Sequence, residues 1–327
     1  METTTQRLSL VDKAPETDSF REAVLNGLRK PQKQIPSKFL YDDRGSKLFD
    51  RICKQDEYYP TRTEMEIMRT HAEAMADAVG PRARLVEYGS GSSRKIRLLL
   101  DHLENLAAYV PVDISRDHLL EAAESLVEAH PDLPIQPLCA DYTTPFELPE
   151  PPRPPARTVA YYPGSTIGNF PPDEARDFLA HVRTVVGRDG GLLIGVDLKK
   201  DVDVLEAAYN DAAGVTAAFN KNLLRRMNRE LDATFDLDRF EHLSVWNDEE
   251  GCIESFLQSR EAQTVTVAGG SIAFAEGETI HTEYSYKYTL EDFAALMQEA
   301  GFAVDEVWTD ERSYFSVQYC TVRRTVR

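Results

Sequence analysis

One short segment constrains the fold of this chain more than any other: an apolar run that stops at a glycine turn and leads at once into a helical pattern. The run is Leu85-Val-Glu-Tyr88, the turn is Gly89-Ser-Gly91, and apolar residues recur at helical spacing after Arg94. A strand, a glycine turn and a helix hold nucleotides at the carboxyl edge of a parallel sheet. A pair of glycines alone is weak evidence, so the neighbouring segments decide.

Strand-like and helix-like segments alternate through the middle of the chain. The pattern predicts strands at 84–88, 107–112, 133–137, 158–162 and 192–197. It predicts helices at 94–106, 115–130 and 173–186, and then a helix and two strands at 290–300, 302–308 and 314–322. This alternation predicts an α/β fold in which helices cover both faces of a parallel sheet.

After Asp197 the pattern changes, which indicates a second, smaller lobe. Residues 202–230 have a helical pattern, and strand-like pieces follow at 252–258, 263–267, 271–275 and 279–288. We therefore expect one domain formed by residues 62–198 plus 287–327 and a smaller lobe formed by residues 1–61 plus 199–286.

Charge and hydropathy exclude several classes of protein. The chain has 327 residues, with 37 Lys and Arg against 55 Asp and Glu, so its formal net charge is −18. Nucleic acid and membrane are disfavoured as partners, because phosphate binding requires clustered Lys and Arg. No apolar stretch is long enough to span a bilayer and no apolar leader opens the chain, so we expect a cytoplasmic protein. No coiled-coil heptad is visible, and we expect a monomer.

Cysteine and histidine spacing gives no indication of a metal. The four cysteines are scattered without a CxxC pair, and the seven histidines have no HExxH or paired spacing. The pattern therefore predicts neither a disulfide framework nor a metal site, and free thiols suit a reducing compartment.

Two carboxylates follow the glycine turn at the ends of the next predicted strands. Asp113 ends the second strand, where a carboxylate can accept both ribose hydroxyls, and Asp141-Tyr142 follows the third. There an acid can accept an adenine amino hydrogen while the aromatic ring packs on the base. Arg94 stands where a dinucleotide fold has its third glycine, which disfavours a pyrophosphate. These residues predict S-adenosylmethionine as the ligand and a class I Rossmann-like methyltransferase sheet.

Two other classes remain open on these residues. An NAD(P)-dependent oxidoreductase also has a GxG turn and a downstream acid, although no hydride-relay histidine is evident. A catalytically silent protein that keeps the adenosyl pocket is the other class.

Seven further blocks resemble one family. They are Phe39–Ser46, Leu48–Asp50, Glu57–Glu64, Gly164–Asn169, Ala208–Asn220, Asn228–Leu231 and Thr282–Ser285. In these blocks the chain, from about residue 20 to its end, resembles the histidine Nα-methyltransferases of ergothioneine biosynthesis, which make hercynine. The resemblance implies S-adenosylmethionine-dependent trimethylation of the α-amino group of L-histidine. It also implies that the larger domain binds the cofactor and the smaller lobe the substrate.

The resemblance implies a role for each matching residue. S-adenosylmethionine would be bound by Gly89, Lys95, Asp113, Asp141 and Tyr142. The substrate would contact Tyr58, Gly164, Asn169, Tyr209, Glu283 and Ser285. Of these, Asn169 and Tyr209 would hold the carboxylate, with Gly164 near the amine. Tyr58 would line the imidazole end together with Glu283 and Ser285, whose spacing on a strand points both side chains to one face. Tyr41 would lie near the amino group, and its hydroxyl or a water path is the candidate for proton removal.

One residue departs from the family pattern. Ser255 stands where related histidine enzymes have a methionine that packs near the ring. A smaller, polar side chain widens the predicted pocket, so a different aromatic amino acid or a substituted histidine remains an alternative substrate. Glu283 and Ser285 still favour an imidazole.

Overall fold

The computed structural model describes residues 10–13, 18–91 and 94–323. The chain divides into two compact units. The larger unit comprises Met1–Pro15, Pro60–Lys199 and Lys287–Arg327, and the smaller unit comprises Glu16–Tyr59 and Lys200–Tyr286.

The described strands are β1 (Val11–Lys13), β2 (Lys33–Gln34), β3 (Ala83–Tyr88), β4 (Ala108–Asp113), β5 (Leu138–Ala140), β6 (Arg157–Tyr162), β7 (Gly191–Asp197), β8 (Phe240–Asn247), β9 (Cys252–Ser259), β10 (Gln263–Val267), β11 (Gly270–Phe274), β12 (Thr279–Tyr286), β13 (Phe302–Thr309) and β14 (Phe315–Val322). The described α-helices are α1 (Asp18–Gly27), α2 (Asp43–Ile52), α3 (Tyr59–Val79), α4 (Arg94–Leu100), α5 (Arg116–Ala129), α6 (Pro172–Val186), α7 (Val202–Tyr209), α8 (Val215–Glu230) and α9 (Leu290–Glu299). Single 3-10 turns form at Ser37–Leu40, Thr166–Asn169 and Leu237–Arg239.

One mixed sheet organises the larger unit. Its described strands follow the order β1-β5-β4-β3-β6-β7-β14-β13. The first six strands in this order, β1-β5-β4-β3-β6-β7, pair in parallel, and β14 is antiparallel to both β7 and β13. The order of the strands reverses between β3 and β6, and in such sheets ligands bind at the carboxyl ends beside that point. This topology confirms the predicted α/β, Rossmann-like sheet.

Burial on both faces stabilises this sheet. All seven residues of β7 are buried, as expected for a central strand with helices on both sides. On one face, Leu85 and Tyr109 of the sheet share a core with Ile96 and Leu99 of α4. Burying a leucine or isoleucine completely contributes roughly 1.5–3 kcal/mol, so this core holds α4 directly after the glycine turn.

The helix predicted at 94–106 is shorter in the structure. It ends at Leu100, and the Leu103 N–H is shared between the carbonyls of Leu99 and Leu100. Asn105 then takes a left-handed conformation with φ +54°. Leu103 and Leu106 continue the helical spacing of leucines. The helix nevertheless ends before them, because the local backbone leaves the helical conformation.

The strand predicted at 133–137 lies later in the chain, as β5. Pro134 and Pro137 have no N–H to donate to a strand ladder. Their carbonyls still accept hydrogen bonds, from the N–H of Tyr109 and of Val11 at 2.9 and 3.1 Å. Proline thus displaces the regular strand to Leu138–Ala140.

The amino-terminal strand shows where the predicted domain bounds and the compact units differ. The prediction placed residues 1–61 in the smaller lobe. β1 instead pairs in parallel with β5, with Val11 opposite Leu138, and so belongs to the larger unit. Three residues carry no usable periodicity, so only the pairing partner decides where such a strand lies.

A four-stranded sheet organises the smaller unit. Among the described residues its order is β2-β12-β9-β8, and β10 and β11 form a separate hairpin. β9 is antiparallel to both β8 and β12, so residues of three strands stand opposite one another. The sequence did not predict β8, because polar residues such as Glu241 and His242 interrupt its pattern.

The helical region predicted at 202–230 is two helices. They are separated at Asn210–Gly214, where Gly214 has φ +68°. The Asp211 carboxylate accepts hydrogen bonds from the N–H groups of Val215 and Thr216 at 2.8 and 2.7 Å. These N–H groups lie in the first turn of α8 and have no partner within the helix, so Asp211 caps it. The break places Tyr209 at the last position of α7.

Candidate functional site

The glycine turn of the larger unit is tied to the end of β4. Gly89 and Gly91 have φ +70° and +46°, a left-handed backbone that favours glycine. The Gly89 N–H donates to the Val112 carbonyl at 2.8 Å, and the Gly91 N–H donates to Asp113 Oδ2 at 3.3 Å. Asp113 Oδ1 accepts the Ser115 N–H at 2.9 Å. Burial raises the pKa of Asp113 above its ordinary value, although the hydrogen bonds from Ser115 and Gly91 act to lower it.

Asp141 and Tyr142 follow the neighbouring strand β5. Asp141 is buried, and its Oδ1 accepts both the N–H and the hydroxyl of Thr143, at 3.0 and 2.6 Å. The Tyr142 ring packs edge-on against Tyr88 and Tyr162, with ring centroids 5.7 and 5.9 Å apart. Burial raises the pKa of Tyr142, so its phenol stays protonated.

We call the carboxyl ends of β3, β4 and β5, with Gly89, Asp113 and Asp141, the glycine edge. These strands are neighbours in the sheet and run parallel, so the three residues come to one edge as predicted. Two buried hydroxyls in this region, Tyr88 OH and Ser90 Oγ, have no hydrogen-bond partner in the described part of the chain. Carboxylates at two strand ends and an orphaned hydroxyl in the turn fit an adenosyl group.

Lys95 belongs to a buried cluster that the sequence did not predict. Its Nζ lies 2.5 Å from Oε2 of Glu64, a residue of α3 that is completely buried. The Gly164 N–H donates to both Glu64 carboxylate oxygens at 3.0 Å. Glu64 therefore joins a predicted cofactor residue to a predicted substrate residue. Glu64 is the last residue of the Glu57–Glu64 block, and its place in this family-like block was the one feature of the sequence that could have indicated a role for it.

The Gly164–Asn169 loop lies after β6. Gly164 has φ +80° and Ser165 φ +56°, and the loop ends in the 3-10 turn that includes Asn169. Ser165 Oγ accepts the Asp197 N–H at 2.9 Å. The Asp197 carboxylate in turn lies 2.7 Å from Lys287 Nζ, and both side chains are buried. The loop is thus held to the end of β7 by polar contacts.

The smaller unit places a row of polar side chains across its sheet, which we call the polar face: Tyr209, Ser244, Ser255, Glu283 and Ser285. Tyr209 OH and Ser285 Oγ are 2.6 Å apart. Glu283 stands opposite Ser255, which stands opposite Ser244, and the two serine hydroxyls are 2.7 Å apart. Because Glu283 and Ser285 are two residues apart on β12, they share a face, as predicted.

A histidine that the sequence did not single out supports this row. His242 Nε2 lies 2.9 Å from the Tyr209 carbonyl, which only accepts, so Nε2 carries the proton. His242 Nδ1 then accepts from Asn220 Nδ2 at 2.9 Å. Ser244 Oγ lies 3.2 Å from Nε2. Burial lowers the pKa of His242, although the Tyr209 carbonyl opposes this, so the ring is neutral near pH 7.

Aromatic rings pack beside the polar face. Phe49 and Phe219 lie 5.6 and 5.3 Å from the Tyr41 ring, and the Tyr58 ring lies 6.2 Å from the Tyr209 ring. Burial, followed by the proximity of Tyr209, raises the pKa of Tyr58 well above its usual value. Tyr58 is therefore a neutral phenol.

The predicted site residues fall into the two units as follows. The larger unit contains Gly89, Lys95, Asp113, Asp141, Tyr142, Gly164 and Asn169. The smaller unit contains Tyr41, Tyr58, Tyr209, Glu283 and Ser285. Asn169 and Tyr209, predicted to share the substrate carboxylate, therefore belong to different units. Glu64, His242 and Ser244 are the polar residues that sequence reasoning missed, and only Glu64 lies inside a matching block.

Two absences concern the described residues alone. In that part of the chain, no helix has both the length and the apolar character to cross a membrane. No group of three or more His, Cys, Asp or Glu side chains there could hold a metal ion, and the predicted absence of a metal stays a prediction.

The sheet topology and the strand ends at the glycine edge are typical of a Rossmann-like, S-adenosylmethionine-dependent methyltransferase. The model of the histidine-specific, SAM-dependent methyltransferase family matches residues 20–322, and the chain belongs to that family. Family membership excludes the oxidoreductase alternative.

Several curated relatives resemble the chain over most of its length. The histidine N-alpha-methyltransferase of Mycolicibacterium smegmatis is 41% identical over 92% of this chain and 94% of its own. The enzyme of the same name from Mycobacterium tuberculosis is 39% identical over 91% and 94%. Ergothioneine biosynthesis protein 1 of Neurospora crassa is 32% identical over 86% of this chain, which spans 32% of that longer protein.

Proposed function

We propose that this protein methylates the α-amino group of L-histidine up to three times with S-adenosylmethionine, giving hercynine in ergothioneine biosynthesis. Family membership and relatives named for this activity support the proposal. The single observation that carries the substrate assignment is the polar face, where Glu283 and Ser285 share one side of β12 and Ser285 lies 2.6 Å from Tyr209.

Hydrogen-bond chemistry explains how the proposed substrate-binding residues would recognise histidine. A carboxylate accepts and a hydroxyl both donates and accepts, so Glu283 and Ser285 can bind the two nitrogens of an imidazole. An apolar ring of similar size would leave these groups unpaired, and specificity of that kind is strong. Neutral donors, Asn169 and Tyr209, would bind the substrate carboxylate without placing a cation beside the sulfonium.

The cofactor set is assigned to the larger unit. Asp113 would accept the ribose hydroxyls, Asp141 the adenine amino group, and Tyr142 would pack on the ring, while the Gly89 backbone permits close approach. Lys95 is a cation at the start of α4 and would bind the cofactor carboxylate.

When bound, S-adenosylmethionine supplies an electrophilic methyl group on a sulfonium. The protein's main contribution is to align a neutral amine with it and to exclude water, because little net charge develops. Alignment of this kind contributes up to ~7–11 kcal/mol. The ammonium must lose a proton to solvent before each transfer. The Tyr41 hydroxyl, which can accept one hydrogen bond while donating another, or a path of water molecules is the candidate to carry that proton away. A quaternary product has no proton to lose and no lone pair, which ends the sequence after three transfers.

The test is mass spectrometry of the purified protein with S-adenosylmethionine and histidine, beside tryptophan, tyrosine and a control without substrate. We expect three successive gains of one methyl mass on histidine alone. Product on another amine without methylated histidine would contradict the substrate assignment and keep the fold and cofactor. No product from any amine would support the silent binding protein.

A second candidate substrate is another aromatic amino acid or a substituted histidine. Ser255 favours it, because this small side chain lies directly opposite Glu283. The hydroxyl pair that Ser255 forms with Ser244 is polar, which favours a substituted imidazole over an indole. Faster methylation of tryptophan than of histidine would establish the indole alternative.

The monomeric state, the cytoplasmic location and the absence of nucleic-acid and membrane partners stay predictions from the sequence. Size-exclusion chromatography with light scattering measures the first of them directly. A dimer mass would contradict it.

A further inference from the structure

Glu64 is the buried acid of the larger unit whose contacts reach two proposed binding residues. Its side chain has no exposed surface, and Lys95 Nζ lies 2.5 Å from Oε2. Both of its oxygens accept the Gly164 N–H at 3.0 Å. A buried carboxylate is costly unless it is paired and hydrogen-bonded, so these partners are what keeps it there.

The surrounding backbone leaves space for this acid. A Cβ added to Gly195 on β7 would collide with Glu64 Oε1. A Cβ added to Gly164 would lie 3.2 Å from Lys95 Nζ, closer than an ordinary contact. Glycine at both positions therefore lets Lys95, Glu64 and the Gly164 turn pack at hydrogen-bond distance.

We propose that Glu64 is a positioning residue that fixes Lys95 for the cofactor and the Gly164 turn for the substrate amine. The proposal rests on the proposed function, because that function gives Lys95 and Gly164 their roles. Glu64 touches neither ligand in this account. It acts by holding the ammonium of one residue and the N–H of the other on a single carboxylate.

The effect of Glu64 on the cofactor, through Lys95, can be separated from its effect on the substrate, through Gly164. A lysine has three N–H donors, so Lys95 can keep its bond to Glu64 and still donate to a cofactor carboxylate. Glu64→Gln has one acceptor oxygen. Because both carboxylate oxygens lie 3.0 Å from the Gly164 nitrogen, the amide N–H₂ of the variant faces the Gly164 N–H in either orientation. In the orientation that places it at the Oε2 position, it also faces the Lys95 ammonium. A donor is then opposed by another donor, which loosens the turn and, in that orientation, Lys95 as well.

The experiment measures S-adenosylhomocysteine binding by calorimetry, and kcat and KM for histidine, in the full-length protein. We expect Glu64→Gln to weaken S-adenosylhomocysteine at least about tenfold and to raise KM for histidine more than it lowers kcat. Glu66→Gln is the matched control, since Glu66 is exposed on the same helix and should leave all values unchanged.

A double-mutant cycle separates positioning from a general loss of stability. In a Lys95→Met background, Glu64→Gln should change S-adenosylhomocysteine affinity less than about twofold, because its partner is already absent. Equal losses in both backgrounds would overturn the proposal. So would a Lys95→Met variant that binds S-adenosylhomocysteine normally, or a Glu64→Gln variant with the parent's constants.

Glu64→Asp provides a second variant if Glu64→Gln does not fold. It keeps the charge but shortens the side chain by one methylene, so it reaches Lys95 or Gly164 but not both. Folded Glu64→Asp with parental affinity and parental KM would contradict the proposal. If the parent binds S-adenosylhomocysteine but methylates no histidine, the proposed function fails. The double-mutant cycle still tests whether Glu64 positions Lys95 for the cofactor.

Discussion

The glycine edge and the polar face are built in opposite ways. At the glycine edge, three residues lie at the carboxyl ends of three neighbouring parallel strands, and each is in or next to the strand that places it. On the polar face, Tyr209 ends a helix, while Ser244, Ser255 and Glu283 come from three antiparallel strands paired by register. The first depends on strand order, and the second depends on which residues stand opposite one another.

The two sites should therefore respond differently to substitution. The glycine edge consists largely of backbone and of acids at strand ends, so changes there should affect the cofactor alone. The polar face is a row of side chains that contact one another, so changes there should affect the substrate and be coupled.

The largest effect is expected at Glu283. Glu283→Ala removes the proposed imidazole acceptor, and kcat/KM for histidine should fall on the order of 10³-fold, because the substrate N–H is left unpaired. S-adenosylhomocysteine affinity should change less than about twofold. Steady-state kinetics and calorimetry measure the two values. Glu276→Ala, an exposed position of the same unit, is the control, and a large loss of cofactor affinity in Glu283→Ala would break the separation.

Asp113→Asn gives the converse result at the glycine edge. Losing a charged acceptor for the ribose should weaken S-adenosylhomocysteine about 10–100-fold, as for a hydrogen bond to a charged group. KM for histidine at saturating cofactor should stay near the parental value. Asp117→Asn serves as the control, because the Asp117 side chain is 86% exposed. Unchanged calorimetry for Asp113→Asn would remove Asp113 from the site.

Glu87 predicts a pH dependence within the larger unit. Burial raises its pKa from 4.5 to about 8, although Tyr109 OH donates to its carboxylate. Between these values the folded state binds a proton that the unfolded state does not. The free energy of unfolding should therefore fall as pH rises, by at most ~1.4 kcal/mol per unit, and level off above about 8.

Chemical denaturation of the parent and Glu87→Gln between pH 5 and 9 measures this slope. The variant should gain stability relative to the parent as pH rises across that range. Glu66→Gln should run parallel to the parent. A parent and Glu87→Gln that differ by a constant amount at every pH would show that Glu87 is ionised in the folded protein.

The smallest effect is expected at Ser255. Ser255→Met fills the space opposite Glu283, so histidine kcat/KM should change only about threefold, while any activity on tryptophan should fall about tenfold or more. Ser255→Ala removes the hydroxyl without filling the space and separates the two effects. Competition assays with both amino acids measure the ratio. A rise in tryptophan activity in Ser255→Met would reverse the pocket argument.

Local pattern was sufficient for much of the larger unit. Five predicted strands and the helix after the glycine turn are present, with displacements where Pro134 and Pro137 remove donors and where α4 ends at Leu100. The strand ends also indicated the acids of the glycine edge. Parallel topology follows from alternation, and it brings carboxyl ends together without any long-range information.

The smaller unit was less accessible to the same reasoning. β8 was not predicted, and 202–230 divides at a turn that the Asp211 carboxylate and Gly214 define. Four residues of the polar face were available only through the family resemblance, and Ser244 was missed; the four are Tyr209, Ser255, Glu283 and Ser285. Their register with Ser244 and Ser255 depends on pairing between segments that periodicity treats separately.

The sequence by itself determined the sheet, the glycine turn and the chemistry of the carboxylates, because those features depend on residues close together in the chain. Tertiary structure alone decided that Glu64 joins Lys95 to Gly164, and that His242 carries its proton on Nε2 beside Tyr209. Both arrangements need side chains from distant segments to meet in a buried place. There, water no longer satisfies them, and an acceptor must be matched to each donor.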